Sequence, residues 1–212
     1  MTSLPSPAAI LSDLDGVLVD SGESIEVTWA TWARSRGLDP AVLEGRIHGR
    51  PSYDVIREVA PHLDVDAEAA VIERMDIDGP PARILPGARE LLGGALGVPV
   101  AVVTSCGPEL GPVRLRTVDL PIPRVLVTSD RVTAGKPAPD AYLLAAQELG
   151  VDAERCVVFE DAPAGVAAGR AAGAVVVGIG TTHAADELAA AGAVEVVASV
   201  AEALGALGRL GV

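Results

Sequence analysis

The chain is short of aromatic residues, of cysteine and of positive charge, and each shortage closes off a class of function. Two Trp, two Tyr and one Phe are the aromatic inventory of 212 residues. Stacking platforms for single-stranded nucleic acid are therefore missing, and Ala, Val and Leu must fill the core. Sixteen Lys and Arg stand against 29 Asp and Glu, a formal net charge of −13. A surface of that sign repels phosphate backbones and anionic membranes, so neither nucleic acid nor a membrane is an expected partner. The two cysteines, Cys106 and Cys156, fall in segments that look regular, with no C-x-x-C spacing and no disulfide framework. No run of 18 uncharged apolar residues is present to span a bilayer, and Met1–Ala9 lacks the basic start of a secretory signal. These absences predict a cytoplasmic protein.

What is present reads as a globular chain. Half of the residues are hydrophobic, which excludes intrinsic disorder. At about 150 residues per domain, the length allows one large domain, or a core with a small insertion. Such a chain buries roughly 70% of its unfolded surface and needs no metal or disulfide to fold. Short runs rich in Val and Ile predict buried strands at Ala8–Ser12, Val98–Thr104, Arg124–Thr128, Cys156–Phe159, Ala174–Ile179 and Val194–Ala198. Helical patterns lie between and after them, at Pro108–Val118, Pro139–Leu149, Ala162–Ala172, Ala184–Ala191 and Val200–Leu210. Strands interleaved with helices predict an α/β fold with a parallel sheet covered on both faces, whose sites form at the carboxyl ends of the strands. From Ser21 to about Pro86 the pattern changes: helices are expected at Ser24–Arg36, Pro40–Ile47, Ser52–Ala60 and Asp66–Ile77, with no strand. Trp29 and Trp32, three apart on one helix face, are expected to pack a small core within that block.

Four stretches carry chemistry. The first, Ile10-Leu-Ser-Asp13-Leu-Asp15-Gly16, runs a hydrophobic strand into two carboxylates two apart, which point the same way at a strand end. Close carboxylates repel unless a cation or a proton lies between them, which leaves a metal site, an acid/base pair or an acidic turn. A calcium loop is excluded because its later acidic positions are missing. The second stretch ends a buried strand in Thr104-Ser105, where hydroxyls serve either a site or a helix cap. The third, Gly135-Lys136-Pro137, holds a Lys out of regular structure and either presents a fixed positive charge or leaves it solvated. The fourth ends an apolar strand in Glu160-Asp161, a placement that is costly without a cation. All four lie at strand carboxyl ends, where a parallel sheet converges them.

On these residues the chain resembles the haloacid dehalogenase superfamily of hydrolases, whose hallmarks are Asp-x-Asp, Ser/Thr, Lys and a terminal acidic pair in that order. The resemblance implies a doubly wound, Rossmann-like parallel sheet with a small inserted helical cap: residues 1–20 and 87–212 as the catalytic core, 21–86 as the cap. It implies Asp13 as nucleophile and Asp15 as general acid/base, with Thr104 and Ser105 binding phosphate and Lys136 neutralising it. It further implies Mg²⁺ held by Asp13, Asp15 through its backbone carbonyl, and Asp161, with Glu160 beside them. Members that cleave carbon–halogen bonds lack the second acid, so Asp15 points to phosphate esters. The stretch from Phe159 to Gly173 is similar to sugar- and polyol-phosphate phosphatases, as are His48-Gly-Arg50 and Glu26 in the cap, which implies substrate contacts at Glu26, His48 and Arg50. The implied partner is a small phosphorylated metabolite, of the glycerol 3-phosphate or hexose-phosphate type, and the protein a monomer or dimer. β-Phosphoglucomutases share these motifs and are the alternative, but carry a cap His where Ile25 stands here. A non-catalytic phosphate-binding protein is the third reading. Cys106 replaces a usual Gly, which implies either a narrower phosphate loop or redox sensitivity. Val27 follows Glu26 where Arg is common.

Overall fold

The computed structural model describes residues 7–208. The start of the Met1–Ala9 segment and the end of the Val200–Leu210 helix therefore lie outside the described residues. A six-stranded parallel sheet is built from β1 (Ala9–Ser12), β4 (Val100–Val103), β5 (Val125–Val127), β6 (Cys156–Glu160), β7 (Val175–Ile179) and β8 (Glu195–Val197), in the order β5-β4-β1-β6-β7-β8. All six strands predicted from the sequence are there, each trimmed by one to three residues or, for β6, lengthened by one.

Strand β1 sits at the centre, paired with β4 on one side and β6 on the other. Both of its faces are buried, which is why Ala-Ile-Leu-Ser reads as a continuous apolar run rather than an alternating one. Its side chains divide by parity. Ile10 enters one apolar cluster with Val102 and Val157, covered by α4 (Ala88–Leu92) and α9 (Val200–Gly208). Ala9 and Leu11 enter the other with Val103 and Val158, covered by α6 (Asp140–Leu149), α7 (Pro163–Ala171) and α8 (Ala185–Ala191). From β1 the strand order runs outward in both directions, so the crevice beyond its carboxyl end is a topological switch point.

Between β1 and β4 the chain leaves the sheet. Helices α1 (Gly22–Ser35), α2 (Ser52–Val59) and α3 (Val65–Ile77) gather round a third apolar cluster of their own. Trp32 is fully buried there and Trp29 nearly so, their rings edge to face at 5.4 Å. Two expectations for this block are corrected. Pro40–Ile47 is helical only as a 3₁₀ turn over Pro40–Leu43, because Gly45 takes a left-handed φ of 67° that ends the helical path. The block is also not free of strand: β2 (Val19–Asp20) pairs antiparallel with β3 (Arg83–Ile84), joining the points where the chain departs and returns.

Candidate active site

Four buried side chains meet at the carboxyl end of β1. Asp13 follows the strand, its N–H donating to the Phe159 carbonyl at 2.9 Å, and Glu160 and Asp161 end the neighbouring β6. Lys136 reaches them from the loop before α6. Its ammonium donates to Asp13 Oδ1 and Glu160 Oε1, each at 2.7 Å, and to the Val103 carbonyl at 3.2 Å. Burial alone would lower the Lys136 pKa, but Asp13 and Glu160 more than offset it and hold the ammonium charged. Glu160 is saturated. Its Oε1 also accepts from the Tyr142 hydroxyl at 2.7 Å, and Oε2 accepts the N–H groups of Asp161 and Ala162. Its charge is thus spent on fixing Lys136 and the start of the next helix.

Asp13, Glu160 and Asp161 each bring an oxygen within 4.8 Å of the others. Burial pushes the Asp13 carboxyl up to about 7 against the pull of Lys136. Burial, Asp13 and Glu160 raise Asp161 well above the usual carboxylate range. Asp161 Oδ2 accepts from the Thr182 hydroxyl, whereas Oδ1 is buried with no hydrogen-bond partner among the described residues. A buried acceptor without a partner is costly, and an oxygen-rich pocket with one orphan ligand atom fits a divalent cation. Gly16 closes the pocket: its φ is 77°, and a Cβ there would lie 1.9 Å from Asp161 Oδ2.

Asp15 stands apart from that cluster and is braced differently. Ser21 Oγ donates to its Oδ1 at 2.6 Å, and the Cys106 thiol to its Oδ2 at 3.0 Å. Arg114, from α5 (Leu110–Thr117), places Nε 2.9 Å from Oδ1, close enough for charge pairing although its N–H is not aimed at the oxygen. The same guanidinium donates to Asp76 of α3 at 2.7 Å. Cys106 lies in the turn after β4, not in a regular segment. Burial and Asp15 push its thiol well above the ordinary range, which keeps it a neutral donor and opposes the redox sensitivity considered from the sequence.

Of the other expected residues, Thr104 is buried, and its Oγ1 accepts the Cys106 N–H at 3.0 Å. Ser105 Oγ donates to the Gly49 carbonyl of the helical block at 3.2 Å. A cavity of about 360 Å³ opens between sheet and helical block, bordered by Asp13, Asp15, Thr104, Ser105 and Arg50. His48 borders a smaller recess that reaches Asp15 and Asp161 from the other side. Burial, then His183 opposite, lowers its pKa. Glu26 does not border the main cavity; it is exposed and borders a depression with Trp29, Leu43 and His48, where its charge opposes the lowering of the His48 pKa. Sequence reasoning missed Arg114, Asp76, Tyr142 and Thr182. Single polar residues on helices and loops carry no periodic or motif signal, and only the fold aims them here.

Comparison with known proteins identifies the family. The profile of the haloacid dehalogenase-like hydrolases matches residues 7–173. The chain is 42% identical over 175 residues to hexitol phosphatase A of Escherichia coli K12, covering 80% of this chain and 81% of that protein. It is 38% identical over 192 residues to validoxylamine A 7'-phosphate phosphatase of Streptomyces hygroscopicus subsp. limoneus, covering 85% and 89%. A hydrolase of the same family from Deinococcus radiodurans R1, solved with bound phosphate and sodium, superimposes with a TM-score of 0.72 at 32% identity over 98% of both chains.

Proposed function

The chain belongs to the haloacid dehalogenase-like hydrolases, and from that premise we propose a divalent-metal-dependent phosphatase of small sugar or polyol monoesters. The observation that carries this reading is the buried Asp13–Lys136–Asp161 group, with Asp15 beside it on a separate set of braces. Asp13 attacks phosphorus, giving an aspartyl-phosphate and dividing one hard displacement into two easier ones. Lys136, locked by Glu160, offsets charge on the transferring group. Asp15 protonates the departing alkoxide, then takes a proton from the water that hydrolyses the intermediate. Thr104 and Ser105 supply polar contacts to the phosphoryl group. Asp13, Asp161 and the Asp15 carbonyl would hold Mg²⁺, which when bound supplies further neutralisation of phosphoryl charge.

Residues 21–86 act as a cap over this chemistry and provide the substrate-facing wall at Arg50 and His48. Ile25 borders the main cavity and offers no proton where phosphomutases place a His, so water rather than a second sugar takes the phosphoryl group. The acidic surface and the two free thiols suit a reducing cytoplasm. The test is phosphate release from a panel of sugar and polyol phosphates with Mg²⁺, with EDTA and after readdition of metal. Release that stops with EDTA and returns with Mg²⁺ is the expected result. Isomerisation without release would indicate a mutase, and binding without either a non-catalytic protein.

A further inference from the structure

The leaving-group half of the cavity has two cations, Arg50 and Arg114, among the described residues that border it. Both are already committed: Arg50 to Glu58 at 3.0 Å, Arg114 to Asp15 and Asp76. A backbone feature that attracts anions on the same side is the N-terminus of α5, whose leading N–H groups open toward the same space. It too is occupied. Glu73, from α3 across the cavity, accepts the N–H of Glu109 at 2.9 Å and of Leu110 at 2.8 Å through one carboxylate oxygen. The seat is fitted to it: a Cβ on Gly107 would stand 2.3 Å from the other oxygen, Glu73 Oε2. Asp66 of α3 and Asp130 in the turn after β5, both exposed, add negative charge around the same cavity.

Resting on the phosphatase reading above, we propose that Glu73 is a specificity-determining residue. Its carboxylate fills a place where a second anionic group of a substrate would dock, and so biases the enzyme toward monophosphates whose leaving alcohol is uncharged. A bisphosphate or a phosphorylated sugar acid would have to displace Glu73 from α5 and then lie against Asp66 and Asp130 with no uncommitted cation to receive it. A neutral polyol needs only hydrogen-bond acceptors, which the same carboxylates supply.

The test compares kcat/KM with Mg²⁺ for sorbitol 6-phosphate and glycerol 3-phosphate against fructose 1,6-bisphosphate and 6-phosphogluconate. Wild type should favour the neutral-alcohol pair by at least about tenfold. In Glu73→Ala that preference should shrink by about tenfold. Glu73→Gln, which keeps the shape and loses the charge, should shrink it by less, and thermal unfolding establishes that each variant is folded. Equal efficiency of wild type on both pairs, or an unchanged preference in the folded variants, would overturn the role of Glu73 while leaving the phosphatase reading intact. Phosphate release from none of the four esters would instead overturn the phosphatase reading itself.

Discussion

Asp161 buries an oxygen that no group among the described residues satisfies, beside an Asp13 carboxyl whose pKa burial raises to about 7. Protons and a divalent cation therefore compete for one site. The Asp13 carboxyl rises from its ordinary 3.8 to about 7 in the fold. In the metal-free protein the stability that this raised pKa contributes is fully present below the ordinary 3.8 and is lost as pH rises through about 7. A bound cation takes over that role above the transition. The Tm difference between Mg²⁺-loaded and EDTA-treated protein should accordingly be larger at pH 8 than at pH 5.5. A difference that does not change with pH would sever the link between these carboxyls and the metal. Asp13 and Asp15 separate on chemistry. Asp13→Asn should abolish phosphate release with no covalent intermediate trapped. Asp15→Asn should slow alkyl phosphates far more than aryl phosphates, whose leaving oxygen needs little protonation. Equal losses on the two ester classes would remove Asp15 from the leaving-group step.

Elements were legible in the sequence in proportion to their burial. Strands β1, β4 and β6 are buried almost throughout, so they announce themselves as unbroken apolar runs ending in Asp13, Thr104 and Glu160. Strand β3 is two exposed residues, Arg83 and Ile84, too short to show a period of two. Helix α4 is five residues between Gly87 and Gly93, barely more than a turn, and leaves no helical periodicity. The carboxylates proposed as catalytic were readable because a motif carries them; Arg114 was not, because its meaning depends on two helices meeting. That meeting makes a prediction about elements. Arg114 is 4% exposed and Asp76 7%, and their pair ties α5 to α3. Arg114→Met leaves Asp76 and Asp15 without their cation in a low-dielectric seam, which should cost about 3–5 kcal/mol. Adding Asp76→Asn to that variant should restore part of the loss, because the stranded charge at Asp76 is then gone. Urea unfolding of the single and double variants measures this. Equal stability of the two would mean that the pair does not join the helices.

Among the described residues, two apolar clusters share the sheet and a third belongs to the helical block alone. The contacts across the cavity include polar ones: Ser105 to Gly49, Glu73 to α5, Asp76 to Arg114. Polar seams of this kind are typical of units that move against each other. The proposed chemistry stays on the sheet side, since Asp13, Asp15, Lys136 and Asp161 all lie outside the block, while Arg50 lies inside it and borders the cavity. Closure of such a block excludes water and positions the ester. Arg50 is held by Glu58 of α2, an exposed pair whose own contribution to stability is small, so its removal should leave the fold intact. Arg50→Ala should therefore raise KM for a sugar phosphate and lower kcat/KM by up to about tenfold, about 1.4 kcal/mol of transition-state stabilisation. Hydrolysis of p-nitrophenyl phosphate, whose leaving group makes few polar contacts with the block, should change much less. If the folded variant keeps the wild-type ranking among sugar and polyol phosphates, the block does not choose the substrate through Arg50, and the catalytic assignment on the sheet stands without it.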